Sequence, residues 1–332
     1  MRTRLAVSLL SGVLLASCSS SSATGPGGGP GAKTHPAGVI DTTSTILPGS
    51  PHGIAISSRG QIVAPMIDID TVEIAAVSPF ALGPLVPASR IPVDVSIAPD
   101  GNTAYVANEG RFVLSVINIR TGTEGDSIHV PPSSGVLRVL VHPNGSRIYV
   151  TDGVDLGGPT TGHVYVIALP SRTVVDSIAV PGDANGIAFD SASNRLYVSS
   201  TGGTVTEIDA TADTVMRTLH AGATPEDIAI SHDHGELWVA DHAQGVKVFD
   251  LATGDSLATI PSTSTAFGLK ITPDGTQVYA TLEGVNRWVI IDRASRTEVN
   301  RFTGFFGLAR IAFDATGAHA AIADGYRITV VK

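Results

Sequence analysis

The sequence of 332 residues carries 30 acidic side chains against 21 lysines and arginines, a formal net charge of −9. No basic run reverses this charge locally, so we expect no nucleic-acid partner. Cys18 is the only cysteine, which excludes a disulfide within one chain.

Residues 1–17 have the pattern of an export signal. Two arginines precede an apolar run from Leu5 to Leu15, and small residues follow. The run is too short for a membrane span, so we expect the segment to be removed. Its end, Leu15-Ala16-Ser17-Cys18, resembles the bacterial lipobox, which implies that Cys18 becomes the lipidated first residue of the mature protein. An ordinary signal peptide that is cut nearby is the alternative.

Residues 18–37 are rich in serine, glycine and proline and have almost no apolar side chains. Such a segment cannot bury enough surface to offset the entropy of ordering, so it is predicted to be a flexible tether. The protein is therefore expected to be exported to the cell envelope, facing the periplasm or the cell surface. Its only contact with a membrane would be the lipid anchor.

One pattern recurs seven times in residues 38–332: a short apolar run, a turn, and a second run that often contains Tyr-Val. The best copies are Val95 to Asn108, Val139 to Asp152 and Leu269 to Thr281. The aligned aromatic position recurs every 41 to 48 residues. It falls at Ala64, Tyr105, Tyr149, Tyr197, Trp238, Tyr279 and Ala321. A period of this length indicates one supersecondary unit used seven times.

Each unit is predicted to contain four strands. Continuous apolar runs are typical of strands buried on both faces, and Pro-Asp-Gly is turn chemistry. A third strand such as Val246 to Asp250 follows, and then a more polar fourth strand such as Thr214 to Leu219. Four strands in 40 to 45 residues fit the blade of a β-propeller. We expect aromatic residues at the repeated position to pack between blades.

The two ends of the repeat array complement each other. The last unit stops after its third strand, and Val39 to Leu47 matches the missing fourth strand. The predicted fold is therefore an all-β, seven-bladed β-propeller of four-stranded antiparallel blades, in which the N-terminal strand completes the last blade and closes the ring.

Two of the repeats also carry a family resemblance. Tyr149-Val150-Thr151-Asp152 and Tyr105-Val106-Ala107-Asn108 resemble the signature of the YVTN β-propeller family, which includes YncE-like exported proteins. The resemblance covers residues 38–332. It implies the propeller fold and leaves the function open, since folds of this kind host unrelated activities.

Polar residues from different blades are predicted to converge at one mouth of the central channel, because each innermost strand begins on the face where each second strand ends. This convergence could orient a small polar ligand, although solvated loops have the same composition. The predicted ligand-binding residues are His52, Asp94, Arg138, Asn185, Glu226, Asp227, Asp241, His242, Glu283, Arg310 and Asp324.

An insertion in the third blade falls on the same face. It contains Asp152, Asp155 and His163 and indicates either a binding loop or a tolerated extension. It lacks the alternating ligands of a calcium loop. The sequence His232-Asp233-His234 lies in a turn on the opposite face from Asp241 and His242, which argues against a zinc site. We expect no metal and no cofactor.

Three functions remain open. The leading one is a monomeric binding module for a small polar ligand or an envelope protein. The second is a hydrolase of the lactonase kind, since propellers that resemble this one hydrolyse sugar lactones. Its candidate residues would be His52, Arg138, Arg310, Glu226 and His242. The third is a structural component of an envelope or surface-layer assembly, which would use the outer blade edges.

Overall fold

The computed structural model describes residues 42–131, 135–153, 161–231, 233, 235–260 and 266–332. The predicted signal, the predicted tether and Cys18, the predicted lipidation site, lie outside the described residues, as do Asp155, His232 and His234. The helical structure in the described segments is one three-residue 3-10 turn, Glu283–Val285. No helix of the described segments is long and apolar enough to cross a membrane.

The described residues form 29 strands in seven antiparallel sheets. The first strand of the chain is β1 (Thr42–Ile46). Blade 1 consists of β2 (Ala55–Ile56), β3 (Gln61–Met66), β4 (Thr71–Val77) and β5 (Phe80–Pro87). Blade 2 consists of β6 (Pro92–Ile97), β7 (Thr103–Asn108), β8 (Val113–Asn118) and a divided outer strand, β9 (Thr123–Glu124) and β10 (Ile128–His129).

Blades 3 and 4 have four strands each. Blade 3 consists of β11 (Val136–Val141), β12 (Arg147–Asp152), β13 (Thr161–Ala168) and β14 (Thr173–Pro181). Blade 4 consists of β15 (Ala184–Asp190), β16 (Arg195–Ser200), β17 (Thr204–Asp209) and β18 (Thr214–His220).

The last three blades follow the same order. Blade 5 consists of β19 (Pro225–Ile230), β20 (Glu236–Asp241), β21 (Gly245–Asp250) and β22 (Ser256–Ile260). Blade 6 consists of β23 (Ala266–Ile271), β24 (Gln277–Leu282), β25 (Arg287–Asp292) and β26 (Thr297–Thr303). Blade 7 consists of β27 (Leu308–Phe313), β28 (Ala320–Asp324), β29 (Arg327–Val331) and β1.

The turn between the first two strands of a blade is stabilised as its sequence predicts. In blade 2, one carboxylate oxygen of Asp100 accepts the backbone N–H groups of Asn102 and Thr103 at 2.7 and 2.9 Å. Gly101 has a φ of 66°, which few residues other than glycine adopt readily. This local geometry reverses the chain and fixes which residues of the two strands face each other.

The strand register corrects one predicted repeat position. Ser96 pairs with Tyr105 in blade 2, and the equivalent residue in blade 1, Ala55, pairs with Val63. Val63, not Ala64, therefore occupies the aromatic position of blade 1. The prediction was wrong by one residue because the blade 1 turn is one residue shorter after its glycine.

Seven buried apolar clusters hold the ring together, and each draws on two neighbouring blades. Tyr149 and Trp238 are fully buried in two of these clusters, as predicted for the repeated aromatic position. A further cluster joins Ile62 and Met66 of blade 1 to Ala321 and Ile328 of blade 7. The first and last blades are therefore packed together like any other pair.

The N-terminal strand completes blade 7, which confirms the predicted closure. β1 pairs with β29 from Thr42 opposite Val331 to Ile46 opposite Arg327. The backbone N–H of Leu47 then donates to the Tyr326 carbonyl at 2.7 Å. This pairing covers the edge that β29 would otherwise expose.

Candidate functional site: the channel mouth

A β-bulge near the start of the inner strand aims side chains at the channel. The register of the inner strand shifts at this place in blades 2 to 7, for example between Val136 and Arg138. A bulge frees a backbone N–H, and a hydroxyl on the second strand accepts it: Thr151 from Arg138 at 3.1 Å and Thr281 from Gly268 at 2.8 Å. Bulges of this kind re-aim neighbouring side chains.

The channel mouth is a cavity of about 420 Å³ lined by residues of blades 1 to 6. A larger and more open cleft of about 590 Å³ lies elsewhere, at the outer strands of blade 4. Its central carboxylate, Glu207, is already paired through one oxygen with Arg195 and through the other with Arg217. The charges of that cleft therefore satisfy one another, and the mouth is the better candidate for a ligand site.

Two sets of residues line the mouth. The first set lies where the inner strands begin, which is at the bulge in blades 2 to 6, and consists of His52, Val93, Leu137, Asn185, Glu226 and Phe267. The second set directly follows the second strands and consists of Ile67, Glu109, Thr201, His242 and Glu283. Arg138 and Asp183 complete the lining. Of the eleven predicted ligand-binding residues, the structure brings six together here: His52, Arg138, Asn185, Glu226, His242 and Glu283.

On four inner strands, the position that follows the one used by the first lining set carries a charged residue. These residues, Asp94, Arg138, Asp227 and Arg310, form a charged layer. Asp94 Oδ2 accepts the backbone N–H of Val139 in the next blade at 3.1 Å, and Asp227 Oδ2 does the same for Leu269 at 3.0 Å. These two carboxylates therefore tie neighbouring blades together. Burial raises the pKa of both, although nearby cations, Arg138 and Lys270, counteract the rise.

Arg310 is committed to contacts within the protein. Its Nη1 lies 3.1 Å from Asp227 Oδ2 and donates to the Phe267 carbonyl at 2.8 Å. The guanidinium carbon also stands 4.5 Å from the centre of the Phe267 ring. The side chain of Phe267 lines the mouth, whereas that of Arg310 does not.

Arg138 differs from Arg310 in having no direct partner for its charge among the described residues. The residue is only 6% exposed, yet its side chain lines the mouth. Asp94 and Asp227 attract it over a longer range. Within the described part of the chain, however, its guanidinium makes no hydrogen bond or ion pair, and its Nε is buried without an acceptor. Buried charged groups normally have a direct partner, so the unpaired guanidinium of Arg138 is a candidate contact for a bound ligand.

His52 is neutral and has a defined tautomer. Burial, and secondly the positive charge of Arg138, lower its pKa to about 4. Its Nδ1 lies 3.0 Å from the Val93 carbonyl, which can only accept, so Nδ1 carries the proton and Nε2 carries the lone pair. The ring meets Phe267 edge to face, with 5.9 Å between ring centres.

Three predicted site carboxylates serve the turns instead. Asp152, Asp241 and Asp324 end the second strands and are almost fully buried. Asp241 accepts four backbone N–H groups, from Ala223, Thr224, Ala243 and Gln244. Asp324 accepts the Phe306 N–H and pairs with Arg327. These side chains lie at this end of the ring, but they do not line the mouth.

The described part of the blade 3 insertion is likewise joined internally. His163 Nδ1 lies 3.3 Å from Asp152 Oδ2, and the backbone N–H of His163 donates to the same carboxylate. Asp155 lies outside the described residues. Asp233, in a turn between β19 and β20, pairs with Arg293. Over the described ranges, no three His, Cys, Asp or Glu side chains gather as a metal site would require.

Sequence reasoning missed several lining residues. Val93, Leu137 and Ile67 are apolar, so no polar pattern identified them, and Asp183 and Thr201 were not selected. The available signal was the repeat register: in five of the seven blades the residue after the second strand lines the mouth, whereas the last residue of that strand is buried.

Fold and mouth together define a seven-bladed β-propeller with a polar cavity at one end of its channel. No family model matches the chain, and no curated protein matches it. Among solved structures it is similar to Kuenenia stuttgartiensis hydrazine synthase, with 18% identity and a TM-score of 0.76 over 92% of this chain and 99% of that chain. At this identity the similarity shows the fold alone.

Proposed function

We propose that this protein is an exported, lipid-anchored propeller that binds a small polar ligand at the channel mouth. The observation that carries the proposal is Arg138, a buried charge that lines the mouth and has no direct partner among the described residues. A ligand that supplies the partner would offset the cost of burying this charge. Export and lipid anchoring rest on the N-terminal sequence alone.

The shape of the mouth also supports ligand binding. A volume of about 420 Å³ lies within the range of small-molecule sites, which is about 300 to 1,000 Å³. Val93, Leu137 and Phe267 supply apolar walls, and polar groups stand between them. Such sites bury most of a ligand and use a few polar contacts to orient it.

Binding is favoured over lactone hydrolysis by the chemistry of two candidate residues. His52, with a pKa of about 4, is a weak base at neutral pH, whereas an efficient general base has a pKa near the working pH. Arg310 is already paired with Asp227. Hydrolysis of sugar lactones by the purified protein, above the rate in buffer and lost in His52→Gln, would restore the enzyme hypothesis.

The binding proposal is tested by thermal denaturation of the full-length protein against a library of small polar metabolites. A bound ligand raises the melting temperature. The variant His242→Ala/Glu283→Ala removes a pair on the mouth whose atoms are 3.6 Å apart. The matched control Arg301→Ala/Glu298→Ala removes an ion pair on the outer strand β26.

We expect stabilisation by at least one compound, which the mouth variant weakens and the control retains. Equal stabilisation of both variants would place binding elsewhere and contradict the proposal. A different result would favour the assembly function over ligand binding. In that case no compound stabilises the protein, and both the wild type and the mouth variant co-purify in an envelope complex.

A further inference from the structure

The charges at the mouth have a definite order along the channel axis. Arg138 stands on the charged layer, one residue further along its inner strand than the lining set. The lining beyond it carries four carboxylates, those of Glu109, Asp183, Glu226 and Glu283. His242 stands among them and lies near Glu283. The lining is therefore positive at its base and negative at its rim.

The base selects an anionic group of a particular kind. An arginine fork matches the planar geometry of a carboxylate and binds it through two parallel hydrogen bonds. A phosphate dianion also binds arginine, but its second charge would face the four rim carboxylates. A single negative charge on a flat group therefore fits the base better.

The rim favours the opposite charge. Its carboxylates only accept hydrogen bonds when ionised, and each has lone pairs for more than one donor, as for Glu226 Oε2, which accepts from Asn185 Nδ2 at 2.6 Å. The neutral Nε2 of His52 adds one more acceptor. A ligand ammonium group would donate to these acceptors and reduce their mutual repulsion.

We propose, on the basis of the binding function above, that the ligand is a small amino carboxylate. Its carboxylate binds Arg138 and its ammonium group faces Glu226 and Glu283 at the rim. The apolar walls formed by Val93, Leu137 and Phe267 accommodate its side chain. The class of ligand follows from the order of the charges along the channel.

The test begins with thermal denaturation of the full-length protein with each of the standard amino acids. The most stabilising one is then compared, by calorimetric titration, with its amide and its N-acetyl derivative. The amide lacks the negative charge, and the N-acetyl compound lacks the positive charge. We expect each derivative to bind about tenfold more weakly or worse, as the loss of one charged contact implies.

Two variants locate the contacts. Arg138→Gln should weaken the amino acid to the level of its amide and leave the amide unchanged. Because Arg138 is buried and its replacement can affect folding, Glu283→Lys provides a second test at an exposed position. It should weaken the amino acid and strengthen the N-acetyl derivative. Arg301→Gln, on the outer strand, should change neither affinity.

The outcomes separate this inference from the function on which it rests. If no amino acid binds but another metabolite does, and the mouth variants weaken it, the ligand class is wrong and the binding function stands. If an amino acid binds with an affinity that Glu283→Lys and Arg138→Gln leave unchanged, both proposals are wrong. Equal binding of the amide and the amino acid would also overturn the ligand class.

Discussion

The residues that build the ring and those that line its mouth alternate along the chain. Asp241 and His242 are neighbours in sequence, yet Asp241 is fully buried and accepts four backbone N–H groups, whereas the side chain of His242 is 42% exposed and lines the mouth. One step in register therefore separates a structural carboxylate from a candidate ligand contact. Polarity alone does not distinguish the two groups.

The largest expected effect is on the ring-building side. Deletion of residues 38–48 removes β1 and leaves the β29 backbone unpaired at the edge of blade 7. We expect the free energy of unfolding to fall by about 5 kcal/mol or more, which is comparable with the whole stability of a domain. We also expect the protein to aggregate. Light scattering and thermal melting measure both. Unchanged melting would refute closure by β1, and a deletion within residues 24–36 serves as the control.

Asp241→Ala should have the next largest effect. It leaves four backbone donors without their acceptor, and we expect the free energy of unfolding in urea to fall by about 3 kcal/mol. Asp241→Asn keeps one oxygen and should lose about half as much. A loss below about 0.5 kcal/mol for Asp241→Ala would show that the carboxylate is not structural.

The pH dependence of stability should reveal His52. Its pKa is about 4 in the folded protein, against an ordinary value of 6.5 that we assign to the unfolded chain. The unfolded chain therefore takes up a proton first as the pH falls. The contribution of His52 to the free energy of unfolding is therefore lower at pH 5 than at pH 7, by about 1 to 2 kcal/mol. The pKa values of Asp94 and Asp227 shift in the opposite direction.

Comparison with His52→Gln isolates this effect, because both aspartates are common to the two proteins. The unfolding free energy of the wild type minus that of the variant should decrease between pH 7 and pH 5. A difference that stays constant would mean that His52 keeps its ordinary pKa and becomes protonated in the mouth between pH 7 and pH 5, which would contradict the lowered pKa described above.

The smallest effect on stability is expected at the rim. His242 and Glu283 have side chains that are 42% and 48% exposed, and their atoms are 3.6 Å apart. Exposed pairs contribute little, so His242→Ala should change the unfolding free energy by less than about 0.5 kcal/mol. Chemical denaturation measures this value. A loss as large as that of Asp241→Ala would remove the distinction between the two neighbours.

The seven blades were predictable because each repeats the same turn and apolar runs. Closure was predictable because the first and last segments complete one unit. The slip from Val63 to Ala64 shows the limit of this approach: a turn one residue shorter leaves the repeat recognisable but reverses the face of each side chain. Blade 1 has no aromatic residue at the repeated position, so its sequence offered no marker that would have corrected the predicted register.

The site was predictable only in part, for the same physical reason. His52, Arg138 and Glu226 were found because they are polar and lie where the inner strands begin. That Phe267 separates Arg310 from the mouth depends on packing between blades 6 and 7, which no local pattern encodes. The lack of a direct partner for Arg138 among the described residues depends likewise on the three-dimensional arrangement.

The most direct measurement is a crystal structure of the protein with its most stabilising small ligand. We predict density in the mouth, with an anionic group within hydrogen-bond distance of the Arg138 guanidinium. An empty mouth in which a carboxylate of the protein pairs with Arg138, while the ligand is bound elsewhere, would contradict ligand binding at this site.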